Sequence, residues 1–171
     1  MKILFLGYGD CKLLKLLHKR HRVFQTMDRL RLPQINEIGP DMIISYGYKH
    51  IIKKNVIEKY EGKIINLHIS YLPWNKGMYP NVWSIIDDTP KGVTIHLINE
   101  GVDTGDILFQ REVRISDNDT LASSYQKLRN EIENLFIENW NLIEQFKFDR
   151  IKQVPDGTFH LKKLAKSILT R

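Results

Sequence analysis

The sequence predicts an α/β domain built on a mostly parallel sheet flanked by helices, and three observations carry that reading. The chain opens on an apolar run at residues 2–6 that passes through Gly7-Tyr8-Gly9 straight into a helical pattern. Short apolar runs recur at 42–44 and 64–69 between stretches of helical spacing, the alternation expected of βαβ units. A long amphipathic pattern from 121 to about 146 then supplies one extended C-terminal helix to cover the sheet. At 171 residues, 42% hydrophobic and 27% charged, the chain reads as a single domain over 1–171 with enough apolar residues for a core.

Taken in order, residues 2–6 read as a buried strand, with Asp10 as a cap for a helix over 11–19. The Gly-x-Gly turn between them signals a tight strand-to-helix connection more than a phosphate loop, because Cys11-Lys12-Leu13 stand where a third glycine belongs. Residues 23–26 read as a second strand. Residues 30–38, with Pro33, read as an irregular connector, and Gly39-Pro40 forces a break. The strand at 42–44 runs into Ser45, Tyr46, Gly47 and Tyr48. Ligands of open α/β sheets bind beyond the carboxyl ends of strands, so these four residues form a candidate wall of a site.

A helix over about 53–60 leads through Gly62 to the strand at 64–69. The loop 70–79 carries Pro73, Trp74 and Gly77, and Asn81 reads as the cap of a helix over 82–86. Trp83 in that helix reads as core, whereas Trp74 and Tyr79 in the loop are candidates for stacking on a ring or sugar. Strands follow at 93–98 and 107–113. Asp117-Asn118-Asp119-Thr120 caps the long helix, whose stripe includes Leu121, Leu128, Ile132, Phe136, Leu142, Ile143 and Phe146. That stripe suits the sheet or, in part, a second copy of the chain. The tail from 149 is polar and basic and contains Gly157-Thr158-Phe159-His160.

The net charge of +6 allows an anionic partner, but by itself describes a lysine-rich solvated surface. The single cysteine, Cys11, permits no internal disulfide and suits the cytoplasm. The apolar start is too short for a secretory signal, and no run reaches membrane-spanning length.

Chemistry concentrates between residues 64 and 107. Asn66 and His68 sit two apart in an apolar run, so on a strand they share one face while Ile65, Leu67 and Ile69 take the other. A buried amide beside a buried imidazole needs partners. Asp103 lies in the Gly-bracketed loop Gly101-Val102-Asp103-Thr104-Gly105, where its carboxylate could orient the imidazole and stabilise its charged form. His96, alternating with Thr94, points to the same crevice or serves as a hydrogen-bonded structural histidine. His18 and His21 lack further ligands, so no metal is expected. Cys11 lacks a neighbouring base, and the Gly-x-Ser-x-Gly elbow is absent. On spacing alone, catalytic and structural roles for the trio are equally supported.

These same positions resemble a known family. Asn66-Leu67-His68, Ser70-Tyr71-Leu72-Pro73, Lys76-Gly77, Gly92-Val93-Thr94-Ile95-His96 and Gly101-Val102-Asp103-Thr104-Gly105-Asp106-Ile107 together look like the formyltransferases that use 10-formyltetrahydrofolate. That family includes methionyl-tRNA formyltransferase, glycinamide ribonucleotide formyltransferase, sugar N-formyltransferases and formyltetrahydrofolate hydrolase. The resemblance implies a single Rossmann-like domain. It implies catalytic Asn66, His68 and Asp103, and a pterin pocket formed by Ser45, Tyr46, Gly47 and Tyr48 with Gly101, Val102 and Asp103. It implies an acceptor site at Trp74, Lys76, Gly77 and Tyr79, to which the basic tail could add.

The first turn reads Gly9-Asp10-Cys11-Lys12 where the glycinamide ribonucleotide enzymes carry Gly-Ser-Asn. The additional domains of the tRNA enzymes and of the hydrolase are not expected here. The short connector 27–38 implies that a family helix is missing. The wording of 70–77 and Pro80-Asn81-Val82-Trp83 is most similar to small amino-sugar formyltransferases. The implied acceptor is a nucleotide-linked amino sugar; a nucleic acid is not expected, and a homodimer is compatible. Hydrolysis of the same folate, or a non-catalytic basic module that binds nucleotides or nucleic acid, are the alternatives.

Overall fold

A computed structural model describes residues 1–161. Its central sheet takes β1 (Lys2–Gly7), β2 (Arg22–Thr26), β3 (Met42–Tyr46), β4 (Ile64–His68), β6 (Gly92–Leu97) and β7 (Ile107–Glu112) in the order β2-β1-β3-β4-β6-β7, while β5 (Lys76–Gly77) pairs with β8 (Phe159–His160) in a separate ribbon. The ladders β1–β2, β1–β3 and β3–β4 are parallel, and β4–β6 and β6–β7 are antiparallel. The sheet is therefore mixed, with its parallel half built from the βαβ units expected at the N-terminus.

The helices are α1 (Lys12–Leu17), α2 (Leu32–Ile38), α3 (Lys54–Lys59), α4 (Pro80–Ile86) and α5 (Leu121–Glu144). One face of the sheet, with Phe5, Ile44, Ile65 and Ile95, packs with Leu13 and Leu17 of α1 and with Leu128, Ile132 and Phe136 of α5. The other face, with Leu4, Leu6, Ile43 and Ile64, packs with Ile35 of α2 and with Val56 and Ile57 of α3. Full burial of side chains such as Ile132 and Phe136 stabilises by roughly 1.5–3 kcal/mol each.

Three local expectations are corrected. The connector 30–38 is not irregular: it holds α2, because Pro33 stands in the first turn, where a helix has no use for the missing N–H. A helix is thus present where the short connector implied none. Asp10 does not cap α1; the Lys12 N–H is met instead by Glu133 Oε2 at 3.1 Å, from α5. Asn81 does not cap α4 but lies within it, behind Tyr79 in a left-handed conformation, and its amide donates to the Leu121 carbonyl at 3.1 Å.

Thr120 does cap α5, accepting the Ser123 N–H. The middle of the α5 stripe is buried, whereas Leu121, Leu142 and Phe146 near its ends are exposed. Trp140 fills the core beside the polar interruption at Asn139.

Candidate active site

Side chains on β4 alternate as the spacing requires. Ile65 and Leu67 enter the core shared with α5, so Asn66 and His68 point to the opposite face. Asn66 lies in register between Ser45 of β3 and His96 of β6, and His68 lies opposite Thr94. Over this part of the sheet, loops and the C-terminal segment contact the face. Asp103 enters from the loop after β6 in a left-handed conformation, φ 52°. That loop lies against β6 so tightly that a Cβ on Gly105 would stand 1.8 Å from the Leu97 carbonyl oxygen, which only glycine permits.

The three predicted residues converge. Asp103 Oδ1 accepts the Asn66 amide at 3.2 Å, and its Oδ2 lies 3.8 Å from His68 Nδ1. Oδ2 also accepts the Gly77 backbone N–H at 2.8 Å. Burial opposes the charge on Asp103, but His68, His96 and the Gly77 N–H outweigh it and hold the carboxyl well below the usual carboxylate range. Burial lowers the pKa of His68, against the pull of Asp103. The two shifts pull apart, since an anchored carboxylate favours an imidazolium that burial disfavours. We take the resting pair at neutral pH as an ionised Asp103 beside a neutral His68. The Nε2 of His68 faces the Asn75 carbonyl at 3.3 Å. With acceptors at both nitrogens, the ring gains partners on both sides whenever it does take a second proton.

His96 completes the cluster, answering the choice left open for it: it is hydrogen-bonded and also faces the site. Its Nδ1 is 2.8 Å from the Leu97 carbonyl, which only accepts, so that nitrogen carries a proton. Its Nε2 is 3.1 Å from the Asn66 amide nitrogen and 3.4 Å from Asp103 Oδ1. In the neutral ring Nε2 accepts from Asn66.

Other predicted site residues are placed less uniformly. Ser45 lies beside Asn66. Tyr46 and Tyr48 turn their hydroxyls away, to Glu133 at 3.1 Å and to the Asp28 carbonyl at 2.8 Å, leaving mainly backbone at 45–48 to meet a ligand. Gly101 and Val102 are exposed on the Asp103 loop. Trp74 is half-buried, with its carbonyl accepting the Ser70 hydroxyl at 2.6 Å. Lys76 and Gly77 form β5, and Tyr79 is exposed at the start of α4. His21 Nε2 lies 3.2 Å from Glu144 Oε2.

Sequence reasoning missed Asn75, Gln153 and Thr158. Gln153 donates to the carbonyls of Asp103 and Gly105 at 2.9 and 2.7 Å, and its buried Oε1 has no partner among the described residues. The only signal was the Gly157-Thr158-Phe159-His160 stretch inside an otherwise basic tail. The tail from residue 162 onward lies outside the described residues.

A half-buried amide donor, a buried imidazole and an anchored carboxylate meet at one strand end. A family model for formyl transferases matches residues 2–139. The chain belongs to the formyl transferase family. A methionyl-tRNA formyltransferase of Desulforamulus reducens is 33% identical over 120 residues, 70% of this chain and 38% of its own length. A dTDP-4-amino-4,6-dideoxyglucose formyltransferase of Mycobacterium tuberculosis is 32% identical over 123 residues, 72% of this chain and 52% of its own length. The chain thus spans about half or less of the length of these formyltransferases.

Among solved structures, the formyltransferase PseJ of Anoxybacillus kamchatkensis superposes with a TM-score of 0.93 at 45% identity, over 99% of this chain and 90% of that one. PseJ was solved with UDP-4,6-dideoxy-4-formamido-L-AltNAc and tetrahydrofolate. A likely sugar N-formyltransferase of Mycobacterium tuberculosis superposes with a TM-score of 0.86 at 25% identity, over 98% of this chain and 78% of that one.

Proposed function

We propose that this formyl transferase moves a formyl group from 10-formyltetrahydrofolate to the primary amine of a nucleotide-linked amino sugar. The observation that carries the reading is Asp103, whose carboxylate engages Asn66 through one oxygen and faces His68 with the other. The acceptor class is supported by the likeness to PseJ and its UDP-linked formamido sugar.

The residues suit the donor. The pterin presents amide-like donors and acceptors, and the backbone at 45–48 and 101–105 offers complementary groups, as does Gln153 Oε1, which has no partner among the described residues. The bound donor supplies an activated formyl carbon. Asn66 then directs an N–H at the oxygen on which negative charge grows, and His68 donates to the same oxygen. Asp103 stabilises the charged form of His68 and helps steer the proton that the attacking amine loses, directly or through water, to the nitrogen of the departing tetrahydrofolate. Because both Asn66 N–H groups already have partners in Asp103 and His96, reaction requires one of them to be released.

Among the described residues no helix is long and apolar enough to cross a membrane. We place the protein in the cytoplasm, a compartment that suits the free, buried Cys11. A homodimer is compatible with the exposed Leu142 of α5 and Phe146 just beyond it.

The test is tetrahydrofolate release from 10-formyltetrahydrofolate, with and without UDP- and dTDP-linked amino sugars. Release that depends on one amino sugar supports the proposal. Release at full rate without an acceptor would instead establish a hydrolase.

A further inference from the structure

The family model ends at residue 139, yet the chain returns to the site after α5. Ile151 forms a bridge with Ile107, Gln153 holds two carbonyls of the Asp103 loop, and β8 pairs with β5. Within this strap one residue does more than close a ribbon. Thr158 Oγ1 accepts the Asn75 N–H at 2.7 Å and donates to Asn75 Oδ1 at 3.2 Å, while the Thr158 carbonyl accepts the Lys76 N–H at 2.9 Å.

Asn75 is fully buried and left-handed, φ 57°, and its amide donates to Thr89 Oγ1 at 2.7 Å. Its side chain is thus bracketed by two threonine hydroxyls, which sets the direction of its backbone. From that backbone two contacts reach the site. The Asn75 carbonyl faces His68 Nε2 at 3.3 Å, and two residues on, the Gly77 N–H donates to Asp103 Oδ2 at 2.8 Å.

We propose that Thr158 is a positioning residue for formyl transfer, setting the turn 75–77 so that its carbonyl faces His68 and its Gly77 N–H aims the Asp103 carboxylate. The inference rests on the functional reading above, and it assigns a role to a segment outside the family model. The hydroxyl is the chemical requirement, since it alone supplies a donor and an acceptor to Asn75 at once. A methyl in its place leaves the Asn75 N–H and Oδ1 without this partner and frees the turn to shift. A displacement of about 1 Å at such a remove can cost roughly 100-fold in rate.

The experiment compares Thr158→Val, Thr158→Ala and Thr158→Ser in the full chain. It measures kcat, KM for donor and for a UDP-linked amino sugar, and hydrogen exchange of the Gly77 amide. We expect Thr158→Val to lower kcat by about 10- to 100-fold, with both KM values near wild type. Gly77 exchange should become faster by about tenfold or more, as the bond to Asp103 loosens. Thr158→Ser should restore both. If Thr158→Val fails to fold, Thr158→Ala carries the same expectation. Wild-type kcat and Gly77 protection in a folded variant lacking the hydroxyl would overturn the proposal, as would equal losses in Thr158→Ser. If the wild-type protein transfers no formyl group, the functional reading fails, and Gly77 exchange in the three variants still decides whether Thr158 sets the turn.

Discussion

Gly77 donates its backbone N–H to Asp103 Oδ2 at 2.8 Å, so a residue in the short β5 strand sets the rotation of a carboxylate from the loop after β6. Gly77 holds φ 93°, and an added Cβ would stand 2.4 Å from the His160 carbonyl oxygen of β8. Gly77→Ala therefore meets both backbone strain and the partner strand. Urea unfolding should show a loss of more than about 1 kcal/mol. Wild-type stability in this variant would mean that the β5–β8 ribbon yields without cost.

The amide nitrogen of Asn66 is held by His96 and Asp103, and in the proposed reaction one of its N–H groups turns to the developing oxyanion. Asn66→Ala should lower kcat by roughly 100- to 1,000-fold, the usual effect of deleting an oxyanion donor. Asn66 is only half-buried, so its thermal midpoint should move little. Single-turnover formyl transfer measures the first effect and circular dichroism the second. A kcat within a few-fold of wild type would remove Asn66 from the chemistry.

His68 gives stability a pH dependence. Its folded pKa lies below the ordinary imidazole value because burial disfavours the charge. The unfolded chain therefore binds the proton first as pH falls, so stability is full above the ordinary histidine range and declines as pH drops through it toward the folded value. Wild type minus His68→Gln, compared by thermal midpoint between neutral pH and about pH 5, should show that decline only in the wild type. Parallel curves for the two proteins would mean that His68 is not held neutral.

Glu133 of α5 is 5% exposed and serves three partners: the Tyr46 hydroxyl, the Lys12 N–H, and Arg129 at 3.6 Å. Removing it leaves the half-buried Arg129 guanidinium and the buried Tyr46 hydroxyl with one acceptor fewer. Glu133→Ala should cost about 2–4 kcal/mol in chemical unfolding. Glu133→Gln, which keeps the shape and one acceptor, should cost distinctly less. Equal losses would show that packing, not charge, is what matters there.

Much of the fold was legible because its signals are local. Apolar runs of strand length and the 3.6-residue stripe of α5 depend on residues near in sequence, so strands and long helix fell close to their observed bounds. Where a local signal had a remote competitor it failed. Asp10 is a good cap by type, but Glu133 from α5 takes the Lys12 N–H. Asn81 likewise reads as a cap, yet it lies inside α4 and reaches Leu121. Residues 30–38, with Pro33, read as an irregular connector, although that proline stands in the one turn of a helix that tolerates it.

Period two along β4 put Asn66 and His68 on one face, and the resemblance of the motif set joined them to Asp103, so the trio proposed to react was legible in the sequence. What surrounds that trio was decided by tertiary structure. The Gly77 N–H, the Asn75 carbonyl, His96 Nε2 and the Gln153 and Thr158 contacts reach it from segments up to tens of residues away. Such contacts leave no periodic mark, because a hydrogen bond between distant segments constrains one atom of each and not the spacing of their neighbours.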